Sequence, residues 1–213
     1  RLIAFSNQHP ELYGRRLVTA PSTSVDPPFE YHLVEGQLSD VTGRSPRAEI
    51  ARTVQVAINN LKERPDLSLA VIALGSEHAR NIQNEFDRQI GDSDSLQLFP
   101  EGRPEEKFII RHLETIQGDE RDVVIISTGY GPKELGKLRN DFGPINKSKN
   151  LSGLRRLNVA VTRARKRVEI VSTINPYKYD DNKLTNIGAK GLIQYLRFVQ
   201  SGGEDLGDLT VET

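Results

Sequence analysis

Leu67-Ser-Leu-Ala-Val-Ile-Ala-Leu74, followed by Gly75-Ser76 and then Glu77-His-Ala-Arg-Asn-Ile-Gln-Asn-Glu-Phe-Asp-Arg-Gln-Ile90, is the stretch that decides the architecture. Residues 67–74 form a short apolar run, the composition of a strand buried on both faces. Beyond it the apolar positions are Ala79, Ile82, Phe86 and Ile90, spaced three, four and four. That spacing marks one face of a helix. Ser76 is suited to cap this helix and Gly91 to close it. A continuous apolar run that switches to helical spacing across a Gly-Ser junction reads as a strand–helix unit.

The same alternation continues in both directions. Upstream, Ile50, Val54, Ala57, Ile58 and Leu61 predict a helix over Arg47–Arg64, ended by Pro65 and Asp66. Downstream, Asp92–Lys107 is rich in Asp, Glu, Pro and Gly and reads as a surface excursion. Phe108–Ile110 reads as a short strand, Asp122–Ser127 as a second buried strand, and Gly129–Gly153 as a long irregular loop. A helix is expected over Leu154–Ala164, a third strand over Val168–Val171 and a last helix over Ala189–Gln200. The expected class is therefore α/β: a three-layer α/β/α arrangement with a mainly parallel sheet. Residues 1–200 read as one domain and 201–213 as a polar, acidic tail. Ligands of such sheets sit at the carboxyl ends of strands. Two stretches are expected there: the segment leading into Asp122–Ser127 and the helix before Val168–Val171.

Composition narrows the chemistry. The chain has 213 residues and no Cys, which excludes disulfides, thiolate catalysis and zinc–thiolate sites. Its four His (His9, His32, His78, His112) show no metal-ligand spacing, so no metal site is expected. No apolar run approaches the length of a membrane span, and a reducing cytoplasm is the expected compartment. The chain also lacks Met and starts at Arg1, which reads as a piece excised from a longer protein. No GxxxxGK[ST] occurs, so the main phosphate cradle of a nucleotidase is not encoded here. Formal net charge is zero, with 29 basic and 29 acidic residues, but the signs are segregated. Lys133–Arg167 holds eleven Lys and Arg against Glu134 and Asp141, a local excess that suits a phosphate-bearing partner.

Two segments carry the chemistry. In Leu113-Glu-Thr-Ile-Gln-Gly-Asp-Glu-Arg-Asp122 a polar turn feeds a buried strand. It is expected to gather Thr115, Gln117, Gly118 and Glu120 at one sheet edge, with Gly118 permitting positive φ or close backbone approach. In Leu154-Arg-Arg-Leu-Asn-Val-Ala-Val-Thr-Arg-Ala-Arg-Lys-Arg167 an apolar helix face packs down, while its arginines must find solvent or phosphate. By residue type alone Arg163 is an ordinary solvated arginine, and Arg165 and Arg167 divide evenly between surface and phosphate-backbone roles.

Here the residues meet a family. IQGDERDVVIIS (116–127) resembles motif V of superfamily 1 helicases, and RRLNVAVTRAR (155–165) resembles motif VI. FGPINK (142–147) and the spacing between the motifs resemble the subgroup related to the nonsense-mediated decay helicase. LIAFSN (2–7) with Tyr13 and Leu17 resembles the stretch after motif IV. TNIGAKGLIQYLRFVQSGG (185–203) resembles the end of this domain in large bacterial members, where a nuclease-like domain often follows. The resemblance implies the second RecA-like domain of an ATP-driven helicase, with the P-loop and the Mg²⁺-holding carboxylates in a domain upstream. It implies that Arg163 is an arginine finger, that Gly118, Glu120 and Arg163 meet ATP, and that Thr115, Gln117 and Ser76 contact single-stranded DNA or RNA or couple it to ATP. The isolated segment is expected to be inactive. Ala73 and His78 depart from the Thr and Gln usual at those places, and Asn150–Leu154 replaces the usual Gly-Glu. The competing reading is a catalytically silent RecA-like module that binds nucleic acid or protein. The upstream sequence would decide between them.

Overall fold

The computed structural model describes residues 2–18, 27–35, 41–42, 45–91, 96–132, 138–146 and 151–206. Lys133, Glu134, Lys137, Lys147, Lys149, Asn150 and the tail beyond Leu206 lie outside the described residues.

A five-stranded sheet organises the chain. Its strands are β1 (Phe29–Leu33), β4 (Leu69–Ala73), β5 (Ile109–His112), β6 (Arg121–Ser127) and β7 (Ala164–Ser172), in the order β1-β7-β6-β4-β5. Every neighbouring pair is parallel. A short antiparallel ribbon, β2 (Val41–Thr42) and β3 (Ser45–Pro46), leads into helix α2 (Arg47–Glu63). The other helices are α1 (Ala4–Gln8), α3 (Ser76–Ile90), α4 (Ser152–Val161) and α5 (Ile187–Gln200).

The central strands are apolar throughout because both faces of the sheet are covered. Side chains still alternate between faces. Ile72, Val124, Ile126, Val168 and Ile170 join α4 and α5 in one core; Val71, Val123, Ile125 and Val171 join α2 and α3 in the other. Ile72, Val124 and Ile125 are completely buried, and each such side chain contributes about 1.5–3 kcal/mol of burial free energy. This is the three-layer α/β/α architecture expected. Phe5 and Phe86 are 1% and 2% exposed, while Tyr13 is half-buried.

Several boundaries differ from expectation. Gly75, not Ser76, occupies the N-cap of α3; Ser76 is exposed in the first turn and its side chain caps nothing. Helix α4 stops at Val161 and β7 begins at Ala164, so Arg165, Lys166 and Arg167 belong to a strand and not to a helix end. Their charge disguised the strand, whose apolar part starts only at Val168. Strand β5 runs to His112. Strand β1 was not anticipated, because Glu30 and His32 interrupt its apolar pattern. The expected 129–153 loop contains a short 3₁₀ turn at Gly143–Ile145.

Candidate functional site

All five strands run the same way, so whatever precedes a strand lies at the sheet's amino edge. Arg163 precedes β7 and Glu120 precedes β6, so these two residues stand at the amino edge and not at the carboxyl edge expected for them. The backbone joins them there: the Arg121 amide donates to the Arg163 carbonyl at 3.1 Å. Arg163 folds back on its own helix, its Nε donating to the Val159 carbonyl at 2.9 Å. Its Nη1 lies 4.0 Å from Glu120 Oε1. The Glu120 side chain is 55% exposed, so this pair is weakly held and open to exchange of partners. Gly118, at φ +96°, is exposed, and a Cβ added there would meet nothing within 4 Å. Gln117 is exposed beside it.

Thr115 does not join this group. Its Oγ1 donates to the His112 carbonyl at 3.1 Å, and the His112 amide donates back to it at 3.3 Å, which fixes it to the carboxyl end of β5. Ser76, just past β4, is on the same carboxyl edge. The 113–120 connection travels from one edge of the sheet to the other, with Leu113 and Ile116 buried along the way. The turn thus spans both edges, and Thr115 and Glu120 stand at opposite ends of it.

Beside Arg163 the amino edge carries an ion network. Asp122 accepts from Arg103 Nη1 at 2.9 Å and from Arg165 Nε at 3.2 Å. Glu106 accepts from Arg103 Nη1 at 2.9 Å and from Arg165 Nη1 at 2.8 Å. Arg165 Nη2 also donates to Ser68 Oγ at 3.0 Å. Hydrogen bonding from Arg165 holds the Glu106 carboxyl down at about 2. Burial pushes Asp122 up, but its bonds to Ser68 and Arg103 keep it below the usual carboxylate range. Arg165 is therefore engaged by carboxylates, and the same holds for Arg167, which pairs with Glu169 Oε1 at 2.8 Å and with Glu30. The charges of Arg165 and Arg167 are thus neutralised locally.

Sequence reasoning missed two buried carboxylates. Glu49 is fully buried at the carboxyl edge. Its Oε1 accepts from Ser127 Oγ at 3.0 Å, Thr128 Oγ1 at 3.1 Å and the Gly129 amide at 2.6 Å. Its Oε2 accepts from the Thr173 amide at 3.1 Å and Thr173 Oγ1 at 3.2 Å. Burial works to raise its pKa, but hydrogen bonding and charge from His78 and the two amides outweigh it, and the net direction is down. His78, one of the two departures noted above, is 3% exposed and sits 2.7 Å from Ser127 Oγ. Glu169, 2% exposed, accepts from His32 Nε2 at 3.0 Å, Arg167 Nε and Asn60 Nδ2 at 3.2 Å. Burial raises its pKa, yet these donors bring it to about 2. Glu30, His32 and Glu169 offer ligand atoms within 4.8 Å of one another, a cluster that linear spacing did not reveal. Arg167 and Arg52 (Nη2 3.1 Å from His32 Nδ1) already occupy these groups. The cluster reads as a charge network joining β1, β7 and α2.

The AAA_12 family, described as an AAA domain, matches residues 31–175, more than half of the chain. The chain belongs to this family. The matched stretch runs from β1 to just past β7 and contains both edges described above. The AAA_12 chain is also 28% identical over 213 residues to an uncharacterized ATP-dependent helicase, MG140, of Mycoplasma genitalium. It is 27% identical over 216 residues to the MG140 homolog of Mycoplasma pneumoniae. Each alignment covers 97% of this chain and 18% of the relative, so the chain spans under a fifth of those proteins. Among solved structures, the C-terminal domain of a possible DNA helicase from Lactobacillus plantarum WCFS1 aligns with a TM-score of 0.45 and 16% identity, over 80% of this chain and 83% of that one. Among the described residues no helix is long and apolar enough to cross a membrane.

Proposed function

We propose that this AAA_12 chain is the second RecA-like half of an ATP-dependent nucleic-acid translocase of superfamily 1, with a P-loop domain upstream in the same protein. The observation that carries the reading is the meeting of Arg163 and Glu120 at 4.0 Å on the amino edge. They come from two helicase-like motifs and are joined through the Arg121–Arg163 backbone bond. In this reading the amino edge faces ATP. The open surface at Gly118 gives a nucleotide room, Glu120 presents a carboxylate to sugar hydroxyls, and Arg163 exchanges Glu120 for phosphate. A guanidinium placed there offsets charge as the phosphoryl group transfers. Mg²⁺ is held by the upstream domain, and the two domains close together on the nucleotide.

The carboxyl edge, with Ser76 and Thr115, faces single-stranded DNA or RNA. The 113–120 connection, held at one end by Thr115 and at the other by the Arg121–Arg163 backbone bond, is the mechanical link between the two ligands, with Gln117 along its course. The relatives named as ATP-dependent helicases support this assignment. The test is ATP hydrolysis by the full-length parent carrying Arg163→Ala. Turnover is expected to fall by about a thousandfold or more; wild-type turnover would remove the finger.

A further inference from the structure

The pairing of β6 with β7 is irregular at one place. Arg121 faces Ala164 and Val123 faces Arg167, so Asp122 alone stands opposite both Arg165 and Lys166. This is a bulge, a device that bends a strand and re-aims its side chains, and one seldom found in parallel pairs. Arg165 lies two residues after Arg163, and Asp122 two after Glu120. Both bulged residues reach the single carboxylate opposite: Arg165 Nε is 3.2 Å from Asp122 Oδ1 and Lys166 Nζ is 3.8 Å from it. The same Arg165 guanidinium is clasped by Glu106, and Arg103 bridges Glu106 and Asp122 from the far side. Asp122 is further locked to the start of β4, its amide donating to Ser68 Oγ at 3.0 Å while its Oδ2 accepts from the Ser68 amide at 3.2 Å.

Resting on the proposed nucleotide edge, we infer that this clasped bulge is the device that aims Arg163, and that Arg165, Glu106 and Asp122 are positioning residues for the finger. The reasoning is geometric. The bulge sets where β7 starts relative to β6, and the Arg163 carbonyl is bonded to the first residue of β6. A shift at Asp122 therefore moves the Arg163 backbone relative to Glu120. Without the clasp, one carboxylate facing two cationic side chains leaves the extra residue of β7 free to slip by one position. Arg165 is thereby spent on architecture and is withdrawn from any contact with phosphate.

The experiment uses the full-length parent and compares Arg165→Gln, Arg163→Ala and the double variant. ATP hydrolysis is read at saturation and, for the crippled variants, as single-turnover phosphate release with enzyme in excess. Arg165→Gln should lower kcat by between about tenfold and a hundredfold, the range a small misplacement of a catalytic group costs, with KM for ATP within about twofold. Adding Arg165→Gln to Arg163→Ala should lower turnover no further, because the residue acts through the finger. Glu106→Gln should reproduce the kcat loss. Wild-type kcat in Arg165→Gln overturns the inference, and so does an equal further loss in the Arg163→Ala background, which marks a merely structural role. Wild-type turnover in Arg163→Ala alone overturns the finger reading and this inference with it. A loss confined to Arg165→Gln and Glu106→Gln with intact Arg163→Ala turnover would instead assign phosphate contact to Arg165.

Discussion

Glu49 illustrates how one residue can hold an edge together. Five donors converge on its two oxygens from the ends of β6 and β7. A buried carboxylate is costly unless it is bonded in this way. Gln at this position keeps the shape but turns an amide N–H₂ toward either the Gly129 amide or the Thr173 amide, donor against donor. Glu49→Gln is expected to destabilise the fold by about 3 kcal/mol, within the cost of leaving buried groups unpaired. A urea midpoint equal to wild type would refute this. The sequence offers a faint signal for Glu49: it sits in the first turn of α2, next to Ile50, with Thr53 one turn on. Its burial was not legible because these five donors come from residues 78 or more positions away. Separations of 59 and 43 residues likewise hid Glu106 and Asp122 as partners of Arg165. By contrast Arg163, Glu120 and Gly118 could be singled out as candidates because their segments are local in sequence, and the structure brings Arg163 and Glu120 together on the edge opposite to the one expected.

At the scale of elements, helices α4 and α5 close on one point. The Ile145 carbonyl would lie 1.8 Å from a Cβ at Gly153 and 2.3 Å from one at Gly188, and Leu154 Cδ1 would lie 2.5 Å from one at Gly191. Glycine in these helices is a packing requirement, with helical propensity sacrificed to it. Propensity alone predicts that Gly153→Ala would stabilise α4 by about 1 kcal/mol. The clash is with backbone, which cannot rotate away, so overpacking of about 1–3 kcal/mol decides the sign. Gly153→Ala should lower the melting temperature; an increase would show that the Ile145 turn gives way. Helices and central strands were readable from spacing because apolar period tracks burial. Strand β7 was not, since its first residues are held by ion pairs, and edge strand β1 was not, since Glu30 and His32 face a charge network in place of a core. What spacing cannot supply is the order of strands; what separates Thr115 from Glu120 is that β5 and β6 run parallel, so the connection between them crosses from one edge to the other.

The whole molecule is tied by carboxylates whose pKa values are lowered: Glu49 and Glu169 in the interior, Asp122 and Glu106 at the amino edge. A carboxylate with a depressed folded pKa stabilises the fold above its unfolded pKa and loses that contribution as pH falls through the folded one. For Glu169 the drop from 4.5 to about 2 corresponds to about 3 kcal/mol, lost across that same window. His9 works in the same direction at higher pH: burial lowers its pKa from 6.5, so the folded state resists a proton that the unfolded chain accepts. Tyr31 and Tyr195 bound the alkaline side, since burial raises both phenols above their usual 10 and stability falls as pH rises past that value. Urea midpoints followed by circular dichroism should therefore be near their maximum between about pH 7 and 9, decline gently below 6.5 and collapse between about 4.5 and 2. The steep limb should be the steeper for having several groups titrate together, because each links a different pair of elements. Glu169 joins β1, β7 and α2, Asp122 joins β4, β6 and β7, and Glu49 joins α2 to the carboxyl ends of β6 and β7. A midpoint unchanged from pH 7 to pH 3 would mean that these carboxylates keep the same protons folded and unfolded, and that the networks at both sheet edges contribute shape but no stability.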